Sequence, residues 1–220
     1  MENPSKIIEG GVEYSLGTFN GKKMLYDFPK VLIYLNAKGK LEFGKKFRIY
    51  EEDQEILRKL CSYFIRDKAF CETQGIDIEK GILLSGPVGC GKTSLMKLLR
   101  FLVPLQKPYE LIPCRNISFA FNHLGFKSIE AYGNSKYYCF DDLGVEPAGR
   151  YYGKDLNVMG EVLLSRYELY LSTKRQLKTH ATTNLNADEL EARYGNRVRS
   201  RMREFFNLVA FDQNAGDKRK

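Results

Sequence analysis

From Gly81 onward, short apolar runs alternate with longer stretches in which apolar residues recur every three or four positions. The runs Ile82-Leu83-Leu84, Glu110-Leu111-Ile112, Tyr137-Tyr138-Cys139-Phe140, Lys178–Thr183 and Phe206–Phe211 predict strands. The stretches between them predict helices: Lys92 to about Val103, stopped before Pro104; about Asn116 to Leu124, ended or bent by Gly125; Val158–Leu171; and Ala187–Ala192. Strand and helix in alternation imply an α/β fold, a parallel sheet covered by helices on both faces. Ligands in such folds bind at the carboxyl ends of the strands. Upstream, Ile56, Leu57, Leu60, Phe64 and Ile65 predict a helix from Glu51 to about Phe70. Glu51, Glu52 and Asp53 complement its positive end. Before it, Val31-Leu32-Ile33-Tyr34-Leu35 reads as a strand, Asn36–Gly39 as a turn, and Leu41-Glu42-Phe43 as a strand pairing back.

The balance of 43% hydrophobic and 28% charged residues over 220 positions suits a globular chain of one domain with an extension, or two small domains. No apolar run approaches the ~20 residues that span a bilayer. The N-terminal Met1–Lys6 lacks a signal peptide's apolar stretch, so a cytoplasmic protein with no membrane partner is expected. Five scattered cysteines without a C-x-x-C pair argue against a disulfide framework and a zinc site, and two histidines against a histidine-rich one. The net charge of +8 is uneven: residues 193–220 hold 8 basic against 3 acidic side chains. That excess favours a polyanion, nucleic acid or nucleotide phosphate, although a solvated basic surface fits it as well.

The chemistry is concentrated at strand ends. Gly86-Pro87-Val88-Gly89-Cys90-Gly91-Lys92-Thr93 fits G-x-x-x-x-G-K-[ST], and it lies between a predicted strand and a predicted helix. Its glycines let the main chain wrap phosphate, and its N–H groups and the helix start face the anion. Lys92 would reach the β- and γ-phosphates, and Thr93 would ligate Mg²⁺; Ser94 follows in the same phosphate-binding stretch. Cys90 reads as a small loop residue, although its place near a helix start also suits a reactive thiol. Asp141 and Asp142 close an apolar strand, as an acid pair beside a phosphate loop should. Asp141 would hold Mg²⁺, and Asp142 would position or deprotonate the attacking water. An Asp at the second position is one methylene shorter than Glu, which would slow hydrolysis. Asn184, after Thr182-Thr183, would hold the attacking water, or else cap the helix starting near Asp188. Arg197 and Arg201, four apart, share a helical face and suit a neighbouring subunit's γ-phosphate; Arg199 and Arg203 would then face nucleic acid or solvent.

Taken together, the phosphate loop, Phe140-Asp141-Asp142-Leu143-Gly144, Ser165-Arg166-Tyr167, Thr182-Thr183-Asn184-Leu185 and Tyr194–Met202 resemble the DnaC/IstB-like branch of AAA+ ATPases, the helicase loaders and transposition helpers. The resemblance covers about residues 47–220 and leaves 1–46 as a small β-containing extension. It implies a P-loop NTPase core with a central parallel sheet and no C-terminal helical lid. It also implies ATP and Mg²⁺ as cofactors, ATP hydrolysis and self-assembly into a homo-oligomer. Single-stranded DNA and a replicative helicase or a transposase are the implied partners. Asn184 resembles sensor 1 and Arg201 the arginine finger, with Arg197 the alternative. Arg166 would face a subunit interface, and Lys46–Tyr50 would border adenine. Lys218 or Arg219 would stand in for a lid arginine. Two other readings stay open: an assembly switch with negligible turnover, and a small-molecule P-loop kinase, for which no acceptor region is signalled after residue 93. No N-K-x-D guanine-reading motif appears.

Overall fold

The computed structural model describes residues 4–103 and 108–219. The chain opens with two antiparallel hairpins. β1 (Lys6–Glu9) pairs β2 (Val12–Ser15) across Gly10-Gly11, and β3 (Gly17–Phe19) pairs β4 (Met24–Tyr26). Next comes α1 (Phe28–Phe43), where a strand, a turn and a second strand are expected. The Asp27 carboxylate caps the helix by accepting the Lys30 N–H, and Pro29 in the first turn has its φ already set for a helix. Val31, Tyr34, Leu35 and Gly39 form the buried stripe, whereas Ile33 is 64% exposed. That spacing is helical; the β-branched residues suggested a strand because local propensity is weaker than capping plus burial of one face.

A 3₁₀ turn (Glu51–Asp53) leads into α2 (Gln54–Phe64), and α3 (Lys68–Thr73) follows. The single helix expected here is broken because Asp67 accepts the Phe70 N–H and starts a new one. β5 (Gly81–Ser85) runs through the phosphate loop into α4 (Lys92–Leu99). This helix stops short of the expected 103: Phe101 and Leu102 donate to the carbonyls three residues back, tightening the chain. Pro104 lies outside the described residues.

The remaining elements are β6 (Glu110–Pro113), α5 (Cys114–Leu124), α6 (Phe126–Tyr132), β7 (Tyr138–Asp141), β8 (Gly149–Tyr151), β9 (Lys154–Leu156), α7 (Val158–Ser172), β10 (Thr179–Thr183), α8 (Ala187–Phe205) and β11 (Phe206–Ala210). Gly125 ends α5 as expected, but α6 and the β8–β9 hairpin carry too few apolar positions to stand out in the sequence. α8 runs past the expected Ala192, through a kink at Gly195, as far as Phe205.

The fold divides into two compact units, Met1–Ile76 with Ser94–Pro108 and Asp77–Thr93 with Tyr109–Lys220. In the second, the five strands lie parallel in the order β11-β5-β10-β7-β6. β5, β7 and β10 are almost wholly buried. Leu83, Phe140 and Ala181 from the sheet share one core with Phe121, Val162, Leu163 and Met202 from the helices. Each large apolar side chain so buried contributes roughly 1.5–3 kcal/mol. The order puts β10 between the phosphate-loop strand and the acid strand. No helix among the described residues is long and apolar enough to cross a membrane.

His180, inside β10, accepts the Ile82 N–H at its Nδ1 (3.1 Å) and packs 5.0 Å from the Tyr109 ring. Burial, with Lys178 and Arg166 adding to it, holds its pKa down to about 3, against about 6.5 in the unfolded chain. The unfolded chain therefore takes up this proton first. The stability that neutral His180 contributes is whole above pH 6.5 and drains away toward pH 3, by about 1.4 kcal/mol per pH unit. Urea unfolding at pH 7 and pH 4.5 should show a smaller stability difference for His180→Gln than for the wild type. Equal differences would contradict this account.

Candidate functional site

The site is built at the carboxyl ends of β5, β10 and β7, with every group described here in one compact unit except Ser94, the next residue along α4. Beyond β5 the main chain turns through Gly89 (φ 84°) and Gly91 (φ 105°), a left-handed backbone that side-chain-bearing residues resist. Pro87 and Val88 form the outer part of the turn, and Val88 is exposed. Cys90 is only 1% exposed and serves as packing within the loop rather than as a reactive group. The Gly86 N–H donates to the Thr183 carbonyl (3.2 Å), which fastens the start of the loop to β10. Lys92 is buried and curls back, donating to the carbonyls of Gly86 (2.7 Å) and Pro87 (2.8 Å).

Thr93 joins the loop to the acid. Its hydroxyl donates to Asp141 at 2.9 Å and 3.1 Å from the two carboxylate oxygens. Asp141 is buried at the end of β7 and also accepts the Thr182 hydroxyl (2.6 Å). Two hard oxygen groups so juxtaposed fit Mg²⁺ that is shared with a bound phosphate. No cluster of three or more His, Cys, Asp or Glu side chains able to hold a metal alone is present among the described residues.

Asp142 has φ 56°, in the left-handed region, and its side chain reaches solvent. Partial desolvation and the neighbouring Asp141 charge raise its pKa, while Lys92 and Arg219 oppose the rise. Asn184 follows β10 directly; its Oδ1 is buried without a partner among the described residues. It does not cap α8. Asn186 does, accepting the N–H groups of Asp188 and Glu189 in a capping box. An orphaned acceptor beside the loop is free to accept a hydrogen bond from a water or ligand.

The arginines divide. Arg197 is exposed and has no ion-pair partner among the described residues; Arg201 is half-buried with its guanidinium 5.5 Å from the Tyr167 ring centre. No hydrogen bond among the described residues joins either to the phosphate loop. Arg199, expected at the surface, is buried instead, because it falls on the same face of α8 as Met202; Arg203 is exposed and bonds Glu191. Arg166 does not face outward either. It is fully buried, donates to Thr179 Oγ1 (2.8 Å) and to the Asn134 carbonyl, and lies over the Tyr138 ring. Burial lowers its pKa to about 10, so the charge is retained within the unit.

Two features escaped the sequence reading. The C-terminal segment folds over the loop: the Lys218 N–H donates to the Gly89 carbonyl (3.1 Å), and the Asp217 carboxylate packs against Gly89 and pairs with Arg219. Glu146 is buried and ties the turn after Asp142 to α8. It accepts the Gly144 N–H (2.7 Å) and the Tyr194 hydroxyl (2.7 Å), and faces Arg193. A glutamate among apolar neighbours, four residues past the acid pair, is its one sequence signal.

No protein-family model matches this chain, and no curated protein matches it in sequence. Solved structures do. A provisionally named primosome component from Streptococcus pyogenes serotype M3 is similar, at 20% identity and TM-score 0.53, over 76% of this chain and 83% of that one. DnaA from Aquifex aeolicus with AMPPCP bound is similar at 20% identity and TM-score 0.50, over 81% of this chain but 51% of that one. A DnaC helicase loader also aligns, at 22% identity and TM-score 0.47, over 61% of this chain and 79% of that one. The first two, with the strand order, show the fold: a phosphate-loop α/β core with a five-stranded parallel sheet flanked by helices.

Glu146→Ala should lower the unfolding free energy by about 3 kcal/mol, because it strands the buried Tyr194 hydroxyl and Gly144 N–H and unpairs Arg193. Chemical denaturation checks this; a loss below about 0.5 kcal/mol, the range of an inert surface change, would contradict the bracing role.

Proposed function

We propose that this chain is an ATP-binding and ATP-hydrolysing AAA+ protein of the DnaC/IstB-like type, acting with DNA in helicase loading during replication or in transposition. The observation that carries the reading is the Thr93–Asp141 hydrogen bond. It brings the helix start of a complete phosphate loop onto the acid of a strand two places away in the sheet. The similar structures support a replication role as far as their names reach: one is named for the primosome and one is DnaA with a nucleotide analogue bound.

In this reading the amides of residues 86–91 and the start of α4 take the phosphates, and Lys92 exchanges its two carbonyl partners for phosphate oxygens. Thr93 and Asp141 would hold Mg²⁺, which when bound would supply charge neutralisation to the phosphates. Asp142 orients or deprotonates the attacking water, and Asn184 lends its orphaned oxygen to the same water. Arg201, with Arg197 the alternative, stabilises the γ-phosphate of a neighbouring copy, so the homo-oligomer completes the site. Arg219, whose charge opposes the rise in the Asp142 pKa, or else Lys218, takes the part of a lid arginine. Residues 1–46 form an extension to the core. Single-stranded DNA and a replicative helicase or a transposase are the partners, and the cytoplasm is the setting.

A second reading, an assembly switch with negligible turnover, is favoured by the short Asp142 side chain and by the C-terminal segment lying on the loop. Phosphate release from MgATP, followed against protein concentration, separates the two. A motor shows turnover per subunit that rises with concentration. Asp142→Asn should keep nucleotide affinity and lose about 100-fold or more in kcat. Arg201→Ala should lose about 1000-fold, and Lys92→Ala should lose binding itself. Absence of phosphate release at any concentration would leave the switch. Turnover independent of concentration and untouched by Arg201→Ala and Arg197→Ala would remove the shared site.

A further inference from the structure

Thr182 follows Ala181, the β10 residue level with Phe140, and has no role in the chemistry proposed for the site. Its side chain is fully buried, in a place where valine would have the same shape. A buried hydroxyl is costly unless both its donor and its acceptor capacity are used. Here both are. The Thr182 hydroxyl accepts the Asp142 N–H (3.0 Å), so its own proton is directed to Asp141 Oδ1 (2.6 Å). The Thr182 carbonyl accepts the Leu143 N–H (2.8 Å). One residue of the middle strand therefore grips three consecutive residues of the acid turn.

Two consequences follow from the geometry. Asp142 holds a left-handed backbone (φ 56°) that a non-glycine residue adopts at a cost, and the bond from its N–H to Thr182 is a local contact that retains it there. Asp141 receives two hydroxyl protons, from Thr93 and from Thr182. The Thr93 oxygen is itself a candidate cation ligand through its lone pairs, with its proton directed to Asp141. The Thr182 bond has no competing duty and keeps the carboxylate aimed at Thr93. Thr183, the next residue, spends its hydroxyl differently, on the Leu143 carbonyl and the Leu185 N–H.

We propose that Thr182 is the positioning residue of the acid pair: its hydroxyl orients Asp141 for the cation and fixes the backbone that presents Asp142. The proposal rests on the nucleotide-binding reading of this site. It couples the strand that precedes Asn184 to both acids through one oxygen atom.

The test compares Thr182→Val and Thr182→Ala, which lack the hydroxyl, with Thr182→Ser, which keeps it. The readouts are the dissociation constant of a fluorescent ATP analogue in EDTA and in magnesium, the magnesium concentration giving half-maximal tightening, and kcat for phosphate release. Valine and alanine variants should bind the analogue in EDTA within about twofold of wild type, yet need about 10- to 100-fold more magnesium. Their kcat should fall as well, and the serine variant should restore both to near wild type. If the valine variant does not fold, the alanine and serine pair, which differ by one oxygen, decides the matter. Wild-type magnesium dependence in the valine or alanine variant would overturn the proposal. So would a serine variant as impaired as the alanine one, since the lost methyl and not the hydroxyl would then matter. A wild-type protein whose analogue binding ignores magnesium would instead overturn the functional reading beneath it.

Discussion

A hydroxyl proton shared between Thr93 and Asp141 is the contact on which the site depends. Thr93 is fixed by the first turn of α4, which the phosphate loop launches from β5; Asp141 is fixed by the buried end of β7. Because β10 lies between those strands, the contact forms only if all three are in parallel register, with Ala181 beside both Leu83 and Phe140. The apolar core of the sheet thus sets a polar distance of about one hydrogen bond at its edge. The same register leaves Thr183 level with Ser85, and so delivers Asn184 next to the opening of the loop.

Much of this was legible in the chain because the signals are local. A glycine-rich turn ending in Lys-Thr, an apolar run closed by two aspartates and a polar tripeptide after a third run each identify themselves within a few residues. The strands of the sheet are short, apolar and bounded by turns, which is the pattern that periodicity reads well. Where the reading failed, a distant or competing contact decided. Val31–Leu35 has strand composition, yet an aspartate cap and a buried stripe made it helix. Arg166 and Arg199 are charged residues, yet one lies buried over Tyr138 and the other on the inner face of α8. Sequence spacing gives a shared face but not which face is covered.

The chain also shows how such a core is braced where it is most exposed to change. The turn after Asp141 holds the exposed Asp142 in a left-handed conformation, and it is hydrogen-bonded from two sides. Thr182 and Thr183 bind it from the sheet, and Glu146 binds it from the direction of α8. Glu146 in turn fixes Tyr194, immediately before the Gly195 kink beyond which Arg197 and Arg201 are carried. The acid turn and the arginine-bearing end of α8 are therefore linked by a short series of buried hydrogen bonds. At the phosphate loop, the main chain of Lys218 reaches the Gly89 carbonyl, so the last described residues are part of the same surface.

The central claim is that main-chain amides of the loop receive a triphosphate with magnesium. Hydrogen–deuterium exchange of this chain, with and without saturating MgATP, reads those amides directly. The account predicts slowed exchange over residues 88–93, accompanied by slowing at 141–144, with little change in β6. Exchange across 88–93 that is identical with and without nucleotide would contradict it.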